Sequence, residues 1–495
     1  MLVNVGHQAG SYGQLTLSAS DAVTPTFSIG RESDATGTVT LASGTITASS
    51  VYSGYNGNGV FSNLAGTVQA DTLGVSYNSS SAQGYMYCGP GSTTDVSFVL
   101  QVGRYGNGTV DCYGSMKIPH ASQGLYIGNI GESEGTFNLY PGAYLNVCNR
   151  IVLGYTTGSG TFNQYGGDAV VGVYFYIGGI NGNTTATSYC NLYGGTLTVS
   201  NMVYVGRNSG NTGELTVSGG HAIFWEKQFG LTVGTYAGST GTVYLVDGIL
   251  AVGLMRDVSG YSQFFFDGGI LEALSSSTKF MTGLNKCEVR AGGAKIDTSG
   301  DDITIAQSIA HDSRGLEPTK DGGLTKLGAG TLTMTGTLGF TGDLGANGGS
   351  LDLSATSYAL PSGSGLWGNG TLVPPSGGFS IPADSWVTPG DTNGVGTLTV
   401  TGNLTLNGEI RARISPDGTE CGTLAVGGTL LFPEGSELVI ENPEDMLKNE
   451  NYTFVTASSL SGQPTVSNLP QLWSLKVSPT QIRAVYISGT MISVR

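Results

Sequence analysis

Apolar and polar positions in this chain fall into a recurring phrase: apolar, any residue, apolar, Gly. It reads VNVG ending at Gly6, FSIG at Gly30, LQVG at Gly103, LYIG at Gly128 and IVLG at Gly154. It continues as FYIG at Gly178, VYVG at Gly206 and LTVG at Gly234, with weaker copies near Gly54, Gly74 and Gly253. A period of about 25 residues built from strand-like pieces marks a solenoid in which each repeat is one coil. Aligned on the glycine, each unit carries a second strand, as in GTVDCYG from Gly108, GTFNLYPG from Gly135, GTFNQYGG from Gly160, SYCNLYGG from Ser188 and GELTVSGG from Gly213. A third apolar run follows, such as LNV at Leu145 to Val147 and LTV at Leu197 to Val199. Alternation of apolar and polar residues within each run is the signature of a strand with one buried face.

Three short strands and three turns fill such a unit, and the expected fold is all-β: a right-handed parallel β-helix with three faces. Equivalent strands should stack ~4.8 Å apart, with about ten coils before residue 255. Val102, Ile127, Leu153, Ile177, Val205 and Val233 should form one buried column, and Phe137, Phe162, Cys190 and Leu215 another. The chain divides into regular coils over 1–255, a less regular continuation over 256–321, a change of texture over 322–370 and a more irregular β-rich region over 371–495.

Between the inward positions, Asp111, Asn138, Asn163 and Asn191 share one column, and Tyr113, Tyr140, Tyr165 and Tyr193 share another two residues on. Identical residues stacked in register let amides form hydrogen-bonded ladders and rings stack, so a structural role is expected for both. A tyrosine row is also a surface on which sugar rings can lie, and repetition does not separate the two readings.

Composition narrows the choice of partner. With 20 Lys plus Arg against 35 Asp plus Glu, a net charge of -15 and no basic cluster, the chain is a poor match for nucleic acid or anionic membranes. No apolar run approaches the ~18 residues needed to span a bilayer, and the best helical stretch, around Glu441 to Asn449, is broken by Pro443. The phrase at Val3, Asn4, Val5 and Gly6 means that the sequence opens inside a coil, without a recognisable secretory signal. If that is the mature N-terminus, the coil presents a parallel edge, and the expected partner is an identical chain docking head to tail, through its β region after residue 370, into fibres; if it is a processed or truncated end, the coil frays and the protein stays monomeric or aggregates without order.

Aligning GYMYCGPG with GTVDCYGS places Cys88 and Cys112 in one column of neighbouring coils, about 5 Å apart at Cα and within reach of a disulfide, with stacked inward thiols as the equal alternative. Cys148, Cys287 and Cys421 have no evident neighbour, and no spacing reads as a metal site or calls for a cofactor.

Candidate chemistry is sparse. His7, His120, His221 and His311 are scattered, and no nucleophile elbow, zinc-binding helix motif or phosphate loop occurs. The best carboxylate pair is Asp301-Asp302, with Asp297, Lys295 and Arg290 nearby. Adjacent strand residues point to opposite faces, so TSGDDIT reads as a turn rather than a site. Sequons fall at Asn78, Asn107, Asn183, Asn369, Asn403 and Asn451, and become glycosylation sites only after export through a glycosylating route.

The segment from Gly322 to Leu353 adds a resemblance. Gly322-Gly323-Leu324-Thr325-Lys326, then Gly328-Ala329-Gly330-Thr331-Leu332-Thr333, Thr341-Gly342 and Gly349-Ser350-Leu351 resemble the autotransporter-associated β-strand repeat of bacterial surface proteins. GNGTL at Gly368, VTPGDTNGVGTLTVTGNLTL from Val387, GTLAVGGTLLF from Gly422 and the stretch from Tyr452 look like later passenger sequence. The resemblance covers roughly 170 residues and implies a β-helical stalk exported to the bacterial surface. No run of amphipathic barrel strands with aromatic girdles accompanies it, so it speaks for export and stalk and not for the route. Two functions follow: an extracellular structural or adhesive rod, or a carbohydrate-active enzyme or sugar-binding module on the same scaffold, with polysaccharide as its partner. Strict repetition and scarce insertions before residue 250 favour the non-enzymatic rod.

Overall fold

The computed structural model describes residues 2–181, 185–315, 320–390 and 395–487. It is 55% strand and 1% helix, with parallel coils stacked into a β-solenoid of about 18 turns. The expected helix-poor stretch holds a single 3-10 turn at Pro443–Asp445. Two compact units are distinguished, one formed by 1–265, 269–274 and 281–287, the other by 266–268, 275–280 and 288–495.

In the first unit, three parallel sheets follow the three runs of the repeat. The phrase strands pair in register, with Val102 opposite Ile127, then Leu153, Ile177, Val205 and Val233. All six are fully buried. The second strands align Val110, Phe137, Phe162, Cys190, Leu215 and Val243, and the third align Met116, Leu145, Ala169, Leu197 and Ala222. Both inward columns expected from the alternation are thus observed.

The phrase glycine has a concrete cause. Gly30 has φ 64°, and a Cβ there would stand 2.3 Å from the Asn58 carbonyl oxygen of the next coil. Left-handed backbone and close approach together leave room for glycine alone. Two of the weaker copies are not such corners. Val75 pairs with Val102, so the corner after it is Ser76, a non-glycine at φ 59° whose hydroxyl donates to the Ala82 carbonyl at 2.7 Å. Gly74 lies inside the strand. Gly253 precedes its coil's strand Met255–Arg256 instead of ending it.

In the early coils the third run and the following phrase are one bent strand: Ala22–Ile29, Thr45–Ser53, Thr67–Val75 and Thr93–Val102. From Ser115 onward they separate into two strands, as in Ser115–Ile118 and Gly124–Ile127.

The second unit keeps the parallel coil. One sheet aligns Ala294, Leu324, Leu344, Leu366, Val387, Ile410, Leu438 and Val466. Another aligns Ile303, Leu332, Leu351 and Leu372. It ends differently: Asn451–Ser461 pairs antiparallel with Gln481–Tyr486, which pairs antiparallel with Trp473–Val477. Ile482 and Ala484 of this ribbon are fully buried and Trp473 nearly so.

Candidate functional site

The most ordered array of polar side chains lies outside the Phe137–Phe162 column. Asn138 Nδ2 donates to Asp111 Oδ1 at 2.7 Å, Asn163 Nδ2 to Asn138 Oδ1 at 2.9 Å, and Asn191 Nδ2 to Asn163 Oδ1 at 2.9 Å. Tyr85 from the preceding coil donates its hydroxyl to Asp111 Oδ2 at 2.7 Å. The sequence places an acceptor-only carboxylate at the head of the amide column, so each amide below can donate upward and accept from the next. Burial and that bond to Asp111 hold the Tyr85 hydroxyl pKa well above its ordinary value.

The tyrosine column stacks beside it. Ring centroids lie 4.1 Å apart for Tyr113 and Tyr140, 5.2 Å for Tyr140 and Tyr165 and 5.2 Å for Tyr165 and Tyr193, with interplanar angles of 3°, 23° and 7°. Each interior ring therefore covers its faces with its neighbours and offers only an edge to solvent. A sugar ring stacks on an aromatic face, so this geometry favours the ladder role over the sugar strip. Burial and the Asp111 carboxylate raise the Tyr140 hydroxyl to about 12.

Cys88 and Cys112 are in-register partners on neighbouring strands, both free thiols and both fully buried. The structure therefore takes the stacked-thiol alternative, and the hydrogen bond to Cys112, reinforced by burial, raises the Cys88 pKa strongly. Of the sequons, Asn78, Asn107, Asn369, Asn403 and Asn451 are exposed, and Asn183 lies outside the described residues. Three of those amides also act locally: Asn78 donates to Asn56, Asn107 accepts from the Glu134 N–H and Asn403 accepts from the Thr429 N–H. Val3, Asn4 and Val5 pair with Phe27, Ser28 and Ile29 of the next coil, and Gly6 turns the corner at φ 71°.

Asp301 and Asp302 lie in the connection that follows the Ser299–Gly300 turn and precedes the strand Ile303–Ile305. Asp301 Oδ1 accepts from Ser276 Oγ at 2.8 Å, and Asp302 Oδ1 from the Thr331 N–H at 2.8 Å. Both carboxylates tie one coil to the next.

Sequence reading missed a charged group in the second unit. Asp321 Oδ2 sits 2.8 Å from His311 Nδ1 and accepts from the Thr341 N–H at 2.8 Å, while its Oδ1 accepts from the N–H groups of Gly323 and Gly342. Asp312, with no exposed side-chain surface, takes Arg314 at 2.6 Å and lies 3.6 Å from Arg290. The Arg314 guanidinium holds its carboxyl down at about 2. Lys326, inward-facing and fully buried, donates to Thr298 Oγ1 at 3.1 Å and to the carbonyls of Leu327 and Gly328. Burial lowers its ammonium to about 8. Alternation does mark Lys326 as inward, between Leu324 and the next turn, but its partner Thr298 on the preceding coil carries no local signal. Among the described residues no group of three His, Cys, Asp or Glu is placed to hold a metal ion.

Neither a protein-family model nor a curated protein matches this chain.

Proposed function

We propose that this chain is a secreted or surface-exposed structural scaffold, an adhesive rod of the kind the resemblance over residues 322–353 implies. The observation that carries this reading is the Asp111–Asn138–Asn163–Asn191 ladder. Its side chains point outward, where a catalytic groove would project its reactive groups, yet they bond to one another coil by coil. Asp301 and Asp302 are likewise engaged by neighbouring coils, through the Ser276 hydroxyl and the Thr331 N–H. In such a protein the regular outer faces hold shape and present it to a partner.

Self-association by coil edges belongs to this proposal. The contact it calls for sets the strand Val3–Val5 of one chain against the β region after residue 370 of an identical chain, where Asn451–Thr456 is already paired with the antiparallel ribbon. Electron microscopy of the purified protein tests the scaffold reading: elongated particles of constant width are expected, and compact globules would overturn it. Sedimentation with and without residues 1–24 tests assembly, with equal monomer fractions in both excluding an edge-driven contact. Protease shaving of intact producing cells tests exposure, since a protein inside the cell stays uncut.

A further inference from the structure

The bend of the four long strands in the first unit creates a groove that the repeat pattern does not announce. Its volume is about 610 Å³, and it runs across neighbouring coils between Pro25 at one end and Pro119 at the other. The inward residues at the bend are Thr24, Ala48, Ala70 and Val96, all buried and mostly small, so the wall folds in toward the axis instead of bulging. Outward, two columns line the depression: Val23, Thr47, Gln69 and Asp95 on one side, and Ser49, Asp71 and Ser97 on the other. From Ser115 the strands separate, and Pro119 is the last residue to line the depression.

We propose that this groove binds a linear, uncharged oligosaccharide. Three observations converge. Asp95 lines the groove, and its buried Oδ1 has no hydrogen-bond partner among the described residues, an unused acceptor that a donor from an occupant would satisfy. Asp71 and Asp95 present acceptors in neighbouring coils, with Ser97 Oγ held 2.6 Å from Asp71 Oδ1. The lining also carries apolar surface, including Val23 at 82% exposure beside Pro25, that suits the C–H face of a pyranose. Paired carboxylates taking hydroxyl donors beside apolar contacts are the recognition chemistry of a polyol. The coil repeat of ~4.8 Å is close to the length of one pyranose, so successive sugars meet equivalent positions of successive coils. No cation lines the groove. Lys117 stands in register next to Asp95 on the following coil, outside the lining, so an anionic chain meets two carboxylates within the groove against a single lysine beyond it.

The test is calorimetric titration of the full chain with cellotetraose, maltotetraose, mannotetraose and tetragalacturonate. At least one neutral tetraose should bind saturably, and at least tenfold more tightly than tetragalacturonate. Asp95→Ala should weaken it at least tenfold. Ser49→Trp, which fills the groove from an exposed position, should abolish it while leaving the thermal transition unchanged. Absence of saturable binding by all three neutral probes overturns the proposal. So does binding that neither variant moves, or preference for tetragalacturonate. None of these results bears on the scaffold reading, which stands or falls on particle shape.

Discussion

Coils at residues 108–217 and coils at residues 288–343 hold their neighbours by different chemistry. In the first, the same residue type recurs at the same position, so one Asn bonds the next and one Tyr stacks on the next. In the second, the equivalent positions differ between coils, and contact is made by dissimilar partners: Asp312 with Arg290, Asp321 with the N–H groups of Thr341 and Gly342, Lys326 with the Thr298 hydroxyl. The lesson is that in-register stacking of neutral amides and rings needs only repetition. Repeating a charge in register is less favourable, because like charges ~4.8 Å apart repel, and these coils set opposite signs or neutral donors against each carboxylate instead.

The comparison is broken most severely from the core. Phe162, fully buried and stacked on Phe137 at 5.8 Å, supports the amide ladder from beneath. Phe162→Asp should cost about 4 kcal/mol or more, through lost burial and an unpaired carboxylate, read as a lower urea midpoint. A loss of unfolding free energy under about 1 kcal/mol would refute the column.

Next in size is Asp312→Asn, which should cost about 3 kcal/mol at pH 7 because it leaves the two arginines without their buried counter-charge. The wild-type carboxyl lies at about 2 in the folded state against an ordinary 3.8. A lowered folded value favours the charged form, so its contribution is complete above pH ~4 and declines as pH falls toward 2. Wild type and variant should therefore converge in stability below pH 2.5, and curves that stay parallel would exclude the ion pair.

Lys326→Met probes the opposite sign. The folded ammonium lies at about 8 against an ordinary 10.5, so the folded state releases its proton first. Stability of the wild type should rise between pH 8 and 10.5, where the unfolded chain binds more protons. The variant should sit within about 1 kcal/mol of wild type at pH 7, since loss of three hydrogen bonds offsets relief from a buried charge. It should fall behind by about 2 kcal/mol more at pH 10. A gap independent of pH would show that the lysine is not desolvated.

The smallest effect belongs to a single rung. Asn163→Ala removes one donor and one acceptor from a half-buried, partly hydrated row and should cost about 1 kcal/mol. Thermal melts of Asn163→Ala and Asn138→Ala with the double variant sharpen the point, since rungs that bond each other should be non-additive.

Much of this was legible beforehand because a solenoid writes its tertiary contacts into its period. Once Gly128 and Gly154 are aligned, Phe137 must meet Phe162 and Asn138 must meet Asn163, so residues 25 apart become neighbours without knowledge of any long-range fold. The misreadings have the same origin. Gly74 looked like a corner because it follows apolar residues, yet Ser76 takes the left-handed turn, its hydroxyl bonded to the Ala82 carbonyl.

What the sequence determined by itself, then, is the coil: its period, its inward columns, its ladders and the placing of Asp301 and Asp302 outside a strand. Tertiary structure alone decided the rest. Whether the third run and the next phrase stay one bent strand, and so leave a groove beside Asp71 and Asp95, depends on how small inward residues at the bend pack. Whether Lys326, in register with Ile296, reaches Thr298, or Asp321 meets His311, depends on turns of unequal length that bring non-equivalent positions together. Periodicity encodes contacts between equivalent residues, and these are contacts between residues that are not.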